Sequence, residues 1–124
     1  MASGTDRKTL GAAGEAAAAA HLQGKGWRIL ARNFRIRSAE IDIVADDRGT
    51  VVFVEVKTRS STRFGTPGQA VNRRKQEKII RAAQIFLRQE RLEGCPCRFD
   101  VVEVYVHPGG TLSIRHLPGA FELQ

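Results

Sequence analysis

The seven residues Val51-Val52-Phe53-Val54-Glu55-Val56-Lys57 constrain this chain most. A run of β-branched and aromatic residues reads as a strand buried on both faces. Such a strand ends in Glu-Val-Lys only where the two charges have a partner or a task. Side chains alternate along a strand, so Glu55 and Lys57 share a face with Val51 and Phe53, while Val52, Val54 and Val56 take the other. A second short strand precedes it, Glu40-Ile41-Asp42-Ile43-Val44-Ala45. The linking Asp46-Asp47-Arg48-Gly49 reads as a hairpin turn with Gly where a positive φ is needed. Folding that hairpin brings Asp42 level with Glu55 and Lys57. Two carboxylates and a lysine then meet at the end of a sheet, spaced Asp42-x(12)-Glu55-x-Lys57. Two hard oxygen ligands can bind Mg²⁺. A lysine beside them can hold or deprotonate a water, or meet charge developing on a phosphate.

A chain of 124 residues makes one domain over residues 1–124, with enough length for a core without staples. It contains no apolar run of membrane-spanning length. The polar stretch from Met1 to Leu10 lacks the apolar region of a signal peptide, so the cytoplasm is the expected compartment. The net charge is +7, and arginine supplies 15 of the 20 basic residues. A guanidinium fork suits phosphate, so a polyanionic partner is one reading, and an arginine-rich genomic composition is the other. Cys95 and Cys97 are separated by one residue, a spacing that strains a disulfide and lacks the second pair of a zinc site. His21, His107 and His116 are scattered through the sequence and suggest no metal cluster.

In chain order, residues 1–6 are expected to fray. Thr5 or Asp6 then caps a first helix running to about Gln23, alanine-rich and stopped by Gly24-Lys25-Gly26. Its small side chains suit close approach to a sheet. Glu15 on this helix reads either as a solvated glutamate or as an outer ligand facing the carboxylates. Residues 27–37 read as a first strand with one wet, basic face, and with 40–45 and 50–58 they give a three-stranded meander. The segment 58–66 reads as a mobile loop beside the site, with Arg59, Arg63, Ser60 and Ser61 either solvated or on phosphates. Thr66 and Pro67 read as the start of a second helix that ends near Glu93 and Gly94. Ile79, Ala83, Phe86 and Leu87 face the core along it. Arg74, Lys78, Arg81 and Arg88 form a basic stripe on its other side, a solvated face or a nucleic-acid track. Lys75 and Gln76 lie near its start, toward the site. Arg98 to Val106 is a long strand, reached by a parallel crossover. Its Asp100 is read as the partner of an arginine or a strand-end cap in preference to a fourth site carboxylate. A last strand, Thr111 to His116, closes the sheet at an edge.

The order helix, three strands, helix, strand, with Glu15, Asp42 and Glu55-x-Lys57 in place, resembles the restriction-endonuclease-like superfamily, whose signature is written PD-(D/E)-x-K. More narrowly the chain is similar to the YraN-like family of small bacterial proteins, related to archaeal Holliday junction resolvases. The matching residues are Gly14-Glu15, Arg32-Asn33, Glu40 to Ala45, Val52 to Arg59, Ala70-Val71 with Lys75-Gln76, and Arg98 to Val102. The proline of the signature is Ile41 here, and Ala39 stands where glycine often precedes Glu-Ile-Asp.

The resemblance implies an α/β, three-layer fold: a central mixed sheet between helices, in the order α-β-β-β-α-β-β. It implies that Asp42 and Glu55 bind Mg²⁺ or Mn²⁺ with the Val56 carbonyl, that Glu15 reaches the metal through a water, and that Lys57 positions the attacking water. The expected reaction is hydrolysis of phosphodiester bonds, with DNA, branched or damaged structures among the candidate substrates, favoured over RNA as partner. Arg59, Arg63, Arg74, Lys75, Gln76, Lys78 and Arg81 are the candidate nucleic-acid contacts. A homodimer is the state in which related resolvases act. Two other readings of the same residues stand beside this one. One is a nucleic-acid-binding module without turnover. The other is a structural ion-pair network of Asp42, Glu55 and Lys57.

Overall fold

The computed structural model describes residues 3–60 and 72–121, with side chains given for 11–60 and 72–120. The elements run α1 (Ser3–Gly24), β1 (Arg28–Ile36), β2 (Ala39–Asp47), β3 (Thr50–Ser60), α2 (Arg73–Gln89), β4 (Cys97–Val106) and β5 (Leu112–Phe121). This is the expected α-β-β-β-α-β-β order. The five strands make one open mixed sheet in sequence order, with β3 and β4 parallel and the other neighbours antiparallel. A parallel pair needs a long crossover, and the segment containing α2 supplies it.

Each face of the sheet carries one helix. Under α1 lie Ala18, Ala19 and Leu22 with Ile43, Ala45, Val52, Val54, Val102, Val104 and Trp27. Under α2 lie Ile79, Ala82, Ala83 and Phe86 with Val44, Val51, Phe53 and Phe99. The alternation read from β3 therefore holds, with Val52 and Val54 on one face and Val51 and Phe53 on the other. Phe86 meets Phe34 and Phe53 edge-on, at centroid separations of 5.2 and 6.1 Å. The hairpin also forms as expected: Arg48 and Gly49 have φ of 52° and 94°, and Asp47 pairs with Thr50. Two successive positive φ values match the twist of the flanking strands.

The alanine run of α1 brings that helix onto β3, and Gly14 marks the closest approach. A Cβ there would overlap the Thr58 hydroxyl and lie 3.2 and 3.3 Å from Thr58 Cβ and Cγ2. All of the threonine side chain stands in the way, so a rotamer change does not clear the clash. Gly14→Ala should cost about 1–3 kcal/mol in urea unfolding despite alanine's better helix propensity. Adding Thr58→Ala should recover most of that loss. Equal stability of wild type and the single variant would refute the close-approach account.

Several boundaries differ from expectation. Ser3 to Asp6 are helical, so α1 starts before the expected Thr5 or Asp6 cap, and of the expected frayed end only residues 1 and 2 lie outside the described residues. β3 runs on through Thr58, Arg59 and Ser60, because β4 pairs with each of them, so these three are strand rather than loop. The rest of the expected loop, with Ser61 and Arg63, and the expected helix start at Thr66 and Pro67 lie outside the described residues. α2 begins at Arg73 behind an extended Asn72, whose side chain accepts from Lys75 N at 2.8 Å. It ends at Gln89, short of Glu93. Arg91 takes φ 57°, and Leu92 N donates to Leu87 O at 2.8 Å. That left-handed cap closes the helix before Gly94 is reached. β5 passes His116 to Phe121, carrying Pro118 on an edge strand where a missing N–H is tolerated.

A polar network fastens that edge. Asp100 is buried and accepts from His116 Nε2 at 2.7 Å, Gly119 N at 2.9 Å and Arg98 Nε at 3.1 Å. Arg98 also reaches Asp47 at 3.1 Å and lies over Trp27. Lys25 Nζ stands 2.7 Å from His116 Nδ1. Asp100 is thus the arginine partner anticipated from its place in β4. Burial pushes its carboxyl up, but the bonds from His116, Gly119 and Arg98 outweigh burial and hold it below the ordinary range. A depressed acid stabilises the fold above its unfolded pKa, and that stabilisation is lost as pH falls through the folded value. His116→Ala should cost about 1–3 kcal/mol at neutral pH. The acid-unfolding midpoint of the variant should move to higher pH, and an unmoved midpoint would contradict the role given to this network.

Candidate functional site

The site is built where β2 and β3 part. Their ladder pairs Asp47 to Ile43 with Thr50 to Val54 and stops there, which leaves Asp42 and Glu55 facing each other past its last rung. β2 also turns over at this point, since Ile43 packs under α1 while Ile41, two residues on, packs under α2. Opposite Asp42 on β1, Asn33 takes a left-handed φ of 55°, a conformation asparagine tolerates better than most residues. Val56 N–H, freed from the β2 ladder, donates to Asp42 Oδ2 at 2.7 Å. The opening is thus sealed by one side chain, and that side chain is the candidate ligand.

The carboxyls are close enough that the charges of Glu55 and Glu15 both act on Asp42. Burial, followed by those two like charges, pushes the Asp42 carboxyl up to about 7, against the lowering effect of the Val56 N–H. Glu15 approaches from the α1 side. Arg32 Nη2 stands 4.0 Å from its Oε1, and the Asn33 amide, oriented by its acceptors, donates to Glu15 Oε1 at 3.1 Å and Glu40 Oε2 at 3.3 Å. Lys57 is half-buried on the Glu55 face of β3. Burial and the Lys75 ammonium push its amine down, with Arg59 adding to them against the pull of Glu55 and Asp42.

Lys75, read as lying toward the site and as a candidate nucleic-acid contact, stands beside Glu55. Its Nζ lies 2.9 Å from Glu55 Oε2. The contact is one of charge rather than an aligned hydrogen bond, and Oε2 is buried without a hydrogen-bond donor. Arg59 is also engaged inward. Its Nε stands 3.6 Å from Glu103 Oε2, and Glu103, buried, accepts from Tyr105 Oη at 3.0 Å. Glu103 and Tyr105 were not anticipated. Their only signal was a glutamate inside an apolar strand, and that gives no partner until Lys57 pairs with Glu103 and Arg59 with Tyr105 across β3 and β4.

Arg74, Lys78 and Arg81 are exposed on the outer side of α2, as the stripe predicts. Two adjoining grooves of about 320 and 300 Å³ run between this stripe and Ser38 in the β1–β2 turn. Lys75 lines the first of them, with Asn72 and Glu40. Gln76 is half-buried in the first turn of α2, and Arg63 lies outside the described residues.

Among the described residues no three His, Cys, Asp or Glu side chains are gathered so as to hold a metal ion. A divalent cation of the Mg²⁺ class uses one or two carboxylates and keeps several waters. Asp42 and Glu55 fit that donor set. Burial and the neighbouring carboxylates raise the Asp42 carboxyl, and Glu55 Oε2 is buried without an aligned hydrogen bond, so added positive charge between the two carboxyls is favoured. No helix among the described residues is long and apolar enough to cross a membrane.

Comparison with known proteins finds relatives along most of this chain. The UPF0102 protein STH1475 of Symbiobacterium thermophilum is 52% identical over 114 residues, covering 92% of this chain and 97% of its own. UPF0102 proteins of Trichlorobacter lovleyi and Geotalea daltonii are each 46% identical, over 121 and 118 residues, and cover 97% and 95% of this chain and 95% and 93% of their own. The model of the uncharacterised protein family UPF0102 matches residues 14–104, from the glycine under which β3 packs to near the end of β4. The chain belongs to the uncharacterised protein family UPF0102.

Proposed function

We propose that this protein is a divalent-metal-dependent phosphodiesterase acting on DNA, with Asp42, Glu55 and Lys57 as its working residues. The observation that carries the reading is the meeting of Asp42 and Glu55 at the parted strands, beside a half-buried lysine. Asp42 and Glu55, with the Val56 carbonyl, would hold Mg²⁺ or Mn²⁺, and Glu15 would approach through a water. When bound, that ion supplies positive charge to the scissile phosphate and its leaving oxygen. Lys57 holds the attacking water and, where its amine is neutral, takes the proton as the water oxygen bonds to phosphorus. The phosphorus–oxygen bond to the leaving strand end breaks in the same displacement. Arg32 and Asn33 keep Glu15 in place. The outer stripe of Arg74, Lys78 and Arg81 offers the phosphate backbone a salt-sensitive track.

The test is cleavage of a labelled panel: four-way junction, flap, duplex, single-stranded DNA and RNA, each with Mg²⁺ and with Mn²⁺. Wild type should cut at least one DNA member, and Glu55→Ala should cut none. Equal cleavage by both proteins would remove this site from the reaction. Salt-dependent binding without cleavage by wild type would replace the reading with a nucleic-acid-binding module.

A further inference from the structure

We infer that Lys75 is an internal counter-cation that a divalent ion must displace, and that its release couples ion binding to polyanion binding. The inference rests on the reading of Asp42 and Glu55 as cation ligands and adds a regulatory residue to that site.

The first observation is the Lys75–Glu55 contact. The ammonium lies 2.9 Å from Oε2, the Glu55 oxygen that has no hydrogen-bond donor. Lys75 therefore supplies part of the charge that the carboxylate pair lacks, without filling the hydrogen-bonding role. The side chain is 46% exposed while Glu55 is 12% exposed, so the lysine end of the pair is the one free to leave. A cation arriving between Asp42 and Glu55 meets this ammonium as a like charge at close range.

The second observation is the helix end that carries it. The first turn of α2 reads Arg73-Arg74-Lys75 and contains no acidic residue. Cations there oppose the positive end of the helix dipole, where natural sequences favour Asp or Glu. Such a turn gains from an external anion, and at present Glu55 serves Lys75 as an internal one. A displaced Lys75 has a short path to the groove it already lines with Ser38, Asn72, Arg74 and Lys78. There its charge joins Arg74 and Lys78 at a surface suited to a phosphate chain. Loading the site with metal thus raises the positive charge offered to DNA twice, once by the ion and once by the released lysine. By linkage, DNA held in that groove must favour metal binding by the same factor.

The test uses Mn²⁺ alone as the first probe, titrated into the full-length protein and followed by loss of the free-ion resonance. Lys75→Gln removes the competing charge and should bind Mn²⁺ about tenfold more tightly than wild type, the size of one moderately screened charge pair. Lys75→Arg keeps the charge and should stay near wild type. Fluorescence anisotropy of a labelled duplex, read at low temperature before any cleavage, gives the second arm. Mn²⁺ should strengthen duplex binding by wild type severalfold more than by Lys75→Gln. Equal or weaker Mn²⁺ binding by Lys75→Gln would overturn the inference while leaving the metal site standing, provided Asp42→Ala loses the ion. Absence of Mn²⁺ binding by every form of the protein would overturn the metal reading and the coupling with it.

Discussion

Asp42→Asn should make the metal-free protein more stable, and the gain should depend on pH. In the folded chain burial and the charges of Glu55 and Glu15 push the Asp42 carboxyl up to about 7, from an ordinary value of 3.8. Between those values the folded state binds more protons than the unfolded state. Stability therefore falls as pH rises from about 4 to about 7, and the whole penalty is present above that. Asparagine keeps an oxygen for the Val56 N–H and carries no charge to desolvate. At pH 8 the variant should exceed wild type by roughly 2–3 kcal/mol, or about 10 °C in Tm. At pH 4 the two should melt together. Excess Mn²⁺ should raise the Tm of wild type and leave the variant unmoved. A difference that does not change with pH would show that the Asp42 carboxyl is not raised in the folded chain. A purely structural ion-pair network predicts the opposite sign, since removing one member of a satisfied network destabilises.

Lys57→Ala should lower the rate of phosphodiester cleavage about 10³-fold under single turnover, within the range for loss of a positioned proton-transfer or charge-stabilising group. Its Tm should stay at or above that of wild type. Burial and the neighbouring Lys75 make the charged amine unfavourable where it sits, so the fold loses little with it. Lys57→Arg restores a charge but sets a planar fork in place of a compact ammonium, and should recover only a small part of the rate. Binding of an uncleaved duplex should change little in either variant. A rate loss that merely followed a fall in Tm would assign Lys57 to folding rather than chemistry.

The parts of this molecule that sequence made legible are those that local periodicity controls. The β-branched run of β3 fixes which residues share a face, and Arg48-Gly49 fixes the hairpin that sets Asp42 opposite Glu55. The apolar period of α2 separates Ile79, Ala83 and Phe86 from the basic stripe. Glu15 was different, because an alanine-rich helix gives no rotational reference. Only the resemblance, then the contacts with Arg32 and Asn33, brought it toward the carboxylates. Contacts between distant elements were not legible at all. Asp100 and His116 meet because β5 lies antiparallel to β4 and Gly119 N–H also turns toward Asp100, which carries the edge strand past Pro118. Lys75 was placed near the site but on phosphate, since nothing in its own turn shows that Glu55 lies within reach. The end of α2 was misplaced because a left-handed Arg91 did the work expected of Gly94.

The claim beneath all of this is that Asp42 and Glu55 together hold a divalent cation. The most direct measurement is the anomalous diffraction signal of Mn²⁺ from crystals soaked in it. The account predicts a peak within coordinating distance of one oxygen from each carboxylate, with Lys75 Nζ withdrawn from Glu55. Full Mn²⁺ occupancy elsewhere, with Lys75 still seated on Glu55 and no peak between the two carboxylates, would contradict it.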